Sequence, residues 1–194
     1  MPRYNLGPLQ FAPVIRLRPT GERVTQLLRW GLVPSWAKDT TIGSKLINAR
    51  GETVADKPSF RSAFKARRCI IPANGFYEWK PIAGGKQPYF VQPASAELFG
   101  LAGLWERWKQ PDGQALDTFT IITTAANEAM LPIHDRMPVI LQPADFETWL
   151  AKDSPSELVG SLLRPCAPDL LQMHPVSKAV GNIRYDSPDL VTVL

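Results

Sequence analysis

The chain has 194 residues, of which 44% are hydrophobic and 21% charged, a balance that suits one globular domain able to bury most of its unfolded surface. Its longest apolar runs are far too short to span a bilayer, its two cysteines exclude a disulfide framework, and neither sits in a metal-ligand spacing. A formal charge of +4 permits a polyanion partner without demanding one, and the opening MPRYNLGP lacks a secretory layout, so the cytoplasm is the expected location.

Nineteen prolines and thirteen glycines are spread along the chain, as in folds of many short strands joined by turns. APVIRLRP and TQLLRWGLVP predict a hairpin around TGER. SKLINARGETV then sets Asn48, Arg50 and Glu52 at alternate positions, on one side of an extended segment. From Lys57 to Arg68, KPSFRSAFKARR carries five positive charges and no acid. Pro58 suits a first helical turn, Phe60 and Phe64 lie four apart facing inward, and Arg61, Lys65 and Arg68 follow a helical spacing on another face. A short helix with a basic stripe is the expectation.

RCIIPA comes next, with Cys69 expected as an inert buried thiol, and an Asn74-Gly75 turn into FYEWKPI predicts a second hairpin. GGKQPYFVQP, LFGLAGLWERW and TFTIITTAA are three further strand-like runs. NEAMLPIH predicts a helical turn, PVILQP a strand, and PADFETWLAK and SELVGSLLRP two short helices. The sum is a single strand-rich α+β domain, with a curved or barrel-like sheet and short peripheral helices.

Several residues offer chemistry beside a plainer role. His134, in LPIHDRMPVIL, is suited to proton transfer near neutrality, although by residue type alone a core histidine bonded to Asp135 or to a backbone carbonyl is the leading reading. Glu78, between Tyr77 and Trp79, is either an acid or base whose pKa is raised by lost solvent or an exposed strand position. Glu106 has similar neighbours, with Arg107 expected to neutralise it. Asn48 and Arg50 pair an orienting amide with a phosphate-clamping guanidinium, or are turn and surface residues. Trp36 either stacks on an unpaired base or caps a core. His174, Ser177 and Lys178 include a serine beside a lysine, but neighbours on an extended chain point apart, so a structural loop is expected there. The order HDR is not that of a kinase and no glycine-rich phosphate loop accompanies it, which excludes phosphoryl transfer.

RYNLGP, RWGLVPSWAKD, LINARGETV, FRSAFKARRCIIPANGFYEWK, IHDRMPVIL and HPVSKAVGNIR resemble, in this order, the motifs of the SRAP domain family, the SOS-response-associated peptidases that shield abasic sites. The resemblance covers nearly the whole chain. It implies a compact barrel-like α+β fold that binds single-stranded DNA, including ss/ds junctions, and reacts with the open-ring aldehyde of an abasic site; no cofactor is expected, and a monomer is. By the same resemblance Asn48 orients the reacting amine, Glu78 acts as acid and base, and His134 protonates the ring oxygen. Arg3, Asn5, Trp36, Arg50, Arg61, Lys65, Arg67 and Arg68 would hold phosphates and bases. The family's reacting group is a cysteine directly after the initiator methionine, whose amine forms a Schiff base and whose thiol closes a thiazolidine. Family members begin Met-Cys-Gly-Arg and reach their RYN motif a few dozen residues later. Here that motif starts at Arg3, so Pro2 stands where the cysteine would by count, and a chain shortened at its start is the expectation. Two other functions fit the residues: a peptidase using Glu78 and His134, and a single-strand binding module that needs only Trp36 and the basic stripe.

Overall fold

The computed structural model describes residues 2–95 and 97–194. In chain order the elements are β1 (Phe11–Leu17), β2 (Arg23–Trp30), β3 (Asn48–Arg50), α1 (Arg61–Ala66), β4 (Arg68–Ala73), β5 (Phe76–Ile82), β6 (Gly85–Pro93), β7 (Phe99–Lys109), β8 (Ala115–Ala125), β9 (Arg136–Pro138), β10 (Ile140–Leu141), α2 (Phe146–Leu150), α3 (Ser156–Ser161) and β11 (Leu171–Pro175). The expected strand-rich α+β architecture is the one observed.

The strands β1 and β2 form the expected hairpin, in register from Phe11 opposite Arg29 to Leu17 opposite Arg23. From there the sheet closes on itself: β2 runs parallel to β8, β8 antiparallel to β7, β7 to β4, and β4 to β1. This five-stranded ring has no free edge within it. Alternation sorts its side chains. Ala12, Val14, Leu28, Cys69, Ile71, Leu101, Phe119 and Ile121 form the apolar cluster of the barrel interior. The intervening residues Ile70, Ala102, Leu104 and Ile122 belong to a second cluster outside, packed under Phe60, Phe64, Trp149 and Val159 from the helical segments. Trp149 is fully buried, and its indole N–H donates to the Cys69 carbonyl over 2.8 Å, which pins α2 to β4.

One inward position of β1 is charged. Arg16 is buried, its guanidinium 3.9 Å from the centre of the Trp105 ring and 3.1 Å from Asp117 Oδ2, with Gln26 accepting from Nε over 2.7 Å. Desolvation lowers its pKa against the opposing pull of Asp117.

Two expected elements are corrected. The Asn74-Gly75 step is not a hairpin turn, because β4 pairs with β7 and β1, whereas β5 pairs with β6 in a separate sheet of order β11-β6-β5. Glycine is needed there for close packing: a Cβ on Gly75 would lie 2.4 Å from Phe90 Cζ and 2.5 Å from the Val91 carbonyl oxygen. PVILQP is not one strand. Its chain changes partner at Val139, with β9 pairing to β8 and β10 to β7, while the Val139 N–H donates to Ile122 O over 2.8 Å. In addition, the loop expected around His174, Ser177 and Lys178 is not found: His174 lies on β11, and Ser177 caps a 3-10 turn that starts at Lys178, its hydroxyl accepting from the Ala179 N–H.

Candidate functional site

The end of β8 is flanked on both edges. β3 runs parallel to it, with Asn48 beside Ile121, Ala49 beside Ile122 and Arg50 beside Thr123, and β9 lies opposite, with Pro138 beside Thr123 and Arg136 beside Ala125. The exposed, buried, exposed sequence of β3 places Asn48 and Arg50 on one face and Ala49 against the outer core, as the alternation predicts. The Asn48 side chain is exposed and makes no hydrogen bond among the described residues, so its amide is available to a ligand.

His134 stands two residues before β9 at this rim. Its side chain is 40% exposed, which overturns the leading expectation of a core histidine. Nδ1 accepts the Arg136 backbone N–H over 3.0 Å, and Asp135 Oδ1 lies 3.3 Å from the same atom. Because Nδ1 accepts that N–H, the neutral ring carries its proton on Nε2. Arg136 itself is a residue that sequence reasoning passed over. Its guanidinium takes both carboxylate oxygens of Glu52, at 2.5 and 2.9 Å, and donates to Thr123 O over 2.8 Å. Its place inside IHDRMP was the available signal.

Glu78 comes to the site from the other sheet. It is half-buried rather than an exposed strand position, and desolvation holds its carboxyl above the ordinary carboxylate range. Opposing that are the Trp79 backbone N–H, which donates to Oε1 over 3.1 Å, and the charges of His134 and Lys86, with Asp135 adding to the rise. Glu78 and His134 thus lie within charge range of each other, as an acid and base acting on one substrate must.

The adjacent Tyr77 donates its hydroxyl to the Tyr4 carbonyl over 2.7 Å, which runs the first residues of the chain alongside β5. Burial, with Asp186 and Asp189, pushes the Tyr77 phenol up to about 12, so it stays a donor.

The remaining expected nucleic-acid contacts divide. Arg50, Arg61, Lys65 and Trp36 are exposed, Trp36 in a loop whose Ala37 carbonyl accepts from Trp108 Nε1 over 2.7 Å. Arg68 is a correction. The helix ends at Ala66, so Arg68 is the first residue of β4, and its guanidinium is buried against the carbonyls of Trp149, Phe64, Lys65 and Ala151. Arg67 is half-buried and pairs with Glu106 Oε2 over 2.8 Å, so Arg67, and not Arg107, neutralises that carboxylate; Arg107 holds Asp117 instead. Asn5 is also a correction: it is buried, and its side-chain amide donates to the carbonyls of Val180, Asn182 and Tyr185. Arg3 pairs with Asp186, whose second oxygen accepts the backbone N–H groups of Tyr4 and Asn5.

Both thiols are chemically quiet. Cys69 is fully buried and raised by desolvation, and burial pushes the Cys166 thiol up to about 11. Among the described residues no group of His, Cys, Asp or Glu is placed to hold a metal ion, and no helix is long and apolar enough to cross a membrane.

Residues 1–183 match the model of the family described as SOS response associated peptidase (SRAP). The chain is 45% identical over 192 residues to the Bacillus subtilis abasic site processing protein YoqW, spanning 98% of this chain and 85% of that protein. It is 37% identical to the chicken abasic site processing protein HMCES, spanning 97% of this chain and 65% of that longer protein. Among solved structures, a Bacteroides thetaiotaomicron protein superposes with a TM-score of 0.87 at 30% identity, over 96% of this chain and 82% of that one. A Bordetella bronchiseptica protein superposes with a TM-score of 0.76 at 28% identity, over 89% of this chain and 86% of that one.

Proposed function

The chain belongs to the SOS response associated peptidase family, and on that footing we propose that it processes abasic sites in single-stranded DNA. The observation that carries this reading is that a partly desolvated carboxyl and an imidazole, Glu78 and His134, come from different parts of the chain to within charge range of each other. Opening an abasic sugar to its aldehyde needs a proton delivered to the ring oxygen and another removed from the anomeric hydroxyl. A carboxyl that desolvation holds above the ordinary carboxylate range and a histidine suit those two transfers.

The aldehyde then meets the N-terminal amine of a chain whose Met-Cys-Gly-Arg start lies a few dozen residues before the Arg3–Asn5 stretch that Tyr77 holds against β5. An α-amine with a pKa of about 7.7–8.0 is partly neutral in the cell, whereas a lysine is mostly charged. Amine and aldehyde lose water to form an imine. If the amine is that of a cysteine, its thiol adds to the imine carbon, the thiol proton passes to nitrogen, and a thiazolidine closes. The first cysteine in this sequence is Cys69, buried in the barrel, so the thiazolidine step is proposed for a chain that begins Met-Cys-Gly-Arg. Asn48 and Arg50 on β3 supply an amide to orient the amine and a cation for a phosphate.

Intact mass after incubation with abasic single-stranded DNA tests the reading. The 194-residue chain is expected to bind the DNA and form no heat-stable adduct, the chain extended by a Cys-containing start to form one, and His134→Ala in that extended chain to slow it about 100-fold or more. A heat-stable adduct on the 194-residue chain would remove the cysteine from the mechanism. An extended chain insensitive to both Glu78→Gln and His134→Ala would remove the acid-base pair.

A further inference from the structure

On the helical side of the barrel, away from any bond to Glu78 or His134, Lys65, Arg68, Lys152, Ser154 and Ser156 line a cavity of about 120 Å³ over Phe64. That is well below the roughly 300–1,000 Å³ of clefts for drug-sized ligands, and suits a small oxyanion. Three cations share it and no carboxylate lines it. Lys65 and Lys152 are exposed, and neither forms an ion pair among the described residues. Arg68 spends four of its five N–H groups on backbone carbonyls, which satisfy its hydrogen bonds but leave its charge uncompensated. The carbonyls also fix that charge rigidly, joining the end of α1 to the end of α2, so Lys65 on α1 and Lys152 in the turn after α2 are held at a set spacing.

We propose that this cavity is a phosphate-binding subsite, occupied by a phosphodiester of the strand whose abasic position lies at the Glu78–His134 rim. The inference rests on the nucleic-acid reading above for its occupant, and on the cavity alone for its chemistry. It gives α1 a role different from the continuous basic stripe expected from its spacing: Lys65 acts with Lys152, Arg68 supplies buried charge, and Arg67 is withdrawn by Glu106. Phosphate contacts of this kind set the register of a strand without reading its sequence.

The test uses the whole chain and the double variant Lys65→Ala/Lys152→Ala, both exposed positions, with Lys109→Ala as control. Two probes are titrated: inorganic phosphate, followed through the backbone amide shifts of residues 152–160, and an undamaged single-stranded 20-mer, followed by affinity against salt. The double variant is expected to lose the phosphate-induced shifts, bind the 20-mer several-fold more weakly and lower the salt slope by about 0.7, the value for one single-strand phosphate lost. Loss of the phosphate shifts with an unchanged DNA slope would keep the oxyanion site and exclude the strand as its occupant. Wild-type shifts and slope in the double variant would overturn the subsite. Because the 20-mer carries no abasic site, failure of the acid-base reading at Glu78 and His134 would leave these results unchanged.

Discussion

The backbone N–H of Arg136 donates to His134 Nδ1, while the guanidinium of the same residue grips Glu52 across the end of β8. One residue thus fixes the histidine through its main chain and the strand junction through its side chain. The orienting bond does not depend on the ion pair. The neutral His134 ring is expected as the Nε2–H tautomer, and Glu52→Ala is expected to preserve it, since the main-chain donor remains. Ring ¹⁵N shifts report the tautomer directly. The pair itself is partly exposed, at 22% and 51% of the two side chains, so its loss should cost under about 1 kcal/mol in thermal unfolding.

Glu78 carries the opposite kind of signature, a group held at a cost. An acid whose folded pKa lies above its ordinary value of 4.5 stabilises the fold only while protonated, fully below 4.5, and loses that contribution as pH rises through the folded value. Glu78→Gln removes the charge that burial opposes. The variant is therefore expected to melt higher than the parent at pH 7 and to converge with it near pH 4. Abasic processing by the Cys-initiated chain should fall about 100-fold or more in the same variant, separating a strained functional carboxyl from a structural one.

Arg68 was expected among the phosphate contacts because positions 61, 65 and 68 share a helical face. The helix stops at Ala66, with the Arg67 backbone at φ −135° and ψ 57°, and the next residue turns back beneath the helix end. Arg68→Met is expected to cost about 3 kcal/mol or more in denaturant unfolding, because four carbonyls, two of them in buried bonds, lose their donor together. Arg61→Ala, at an exposed position, should leave stability within about 0.5 kcal/mol.

Such cases mark where the chain could be read and where it could not. Period-two alternation exposed the β1–β2 hairpin and the outward face of β3, because those patterns depend only on neighbours along the chain. The same local view mistook Asn74-Gly75 for a turn, since the demand for glycine there comes from Phe90 and Val91, which lie on another strand. Arg16 went unnoticed because its partners Asp117 and Trp105 are distant in sequence. At the site, residue type favoured a core role for His134, and only the ordered family motifs set it beside Glu78. Arg136 and Glu52 are ordinary surface residues until β3 and β9 are placed on opposite edges of β8.

Gly75→Ala tests the packing reading of that glycine. The added methyl meets the Phe90 ring and the Val91 carbonyl at less than contact distance, and β5 and β6 must separate to admit it. A loss of about 1–3 kcal/mol is expected, as for an overpacked core. Because Glu78 lies three residues further along the same strand, processing should weaken along with the fold, and amide exchange across the β5–β6 ladder should speed up first.

The carboxylate of Asp186 has a wider reach than its exposed position suggests. It gathers the Arg3 side chain and two backbone amides, while Asn5 reaches the carbonyls of Val180, Asn182 and Tyr185. Sequence positions more than 170 apart are thereby knotted into one cooperative unit, next to the strand that carries Glu78. Opening of the C-terminal turns and release of the chain's first residues should be a single event with a single free energy. Anything that steadies one of these segments then steadies the other, so the C-terminal turns share in holding the strand that carries Glu78.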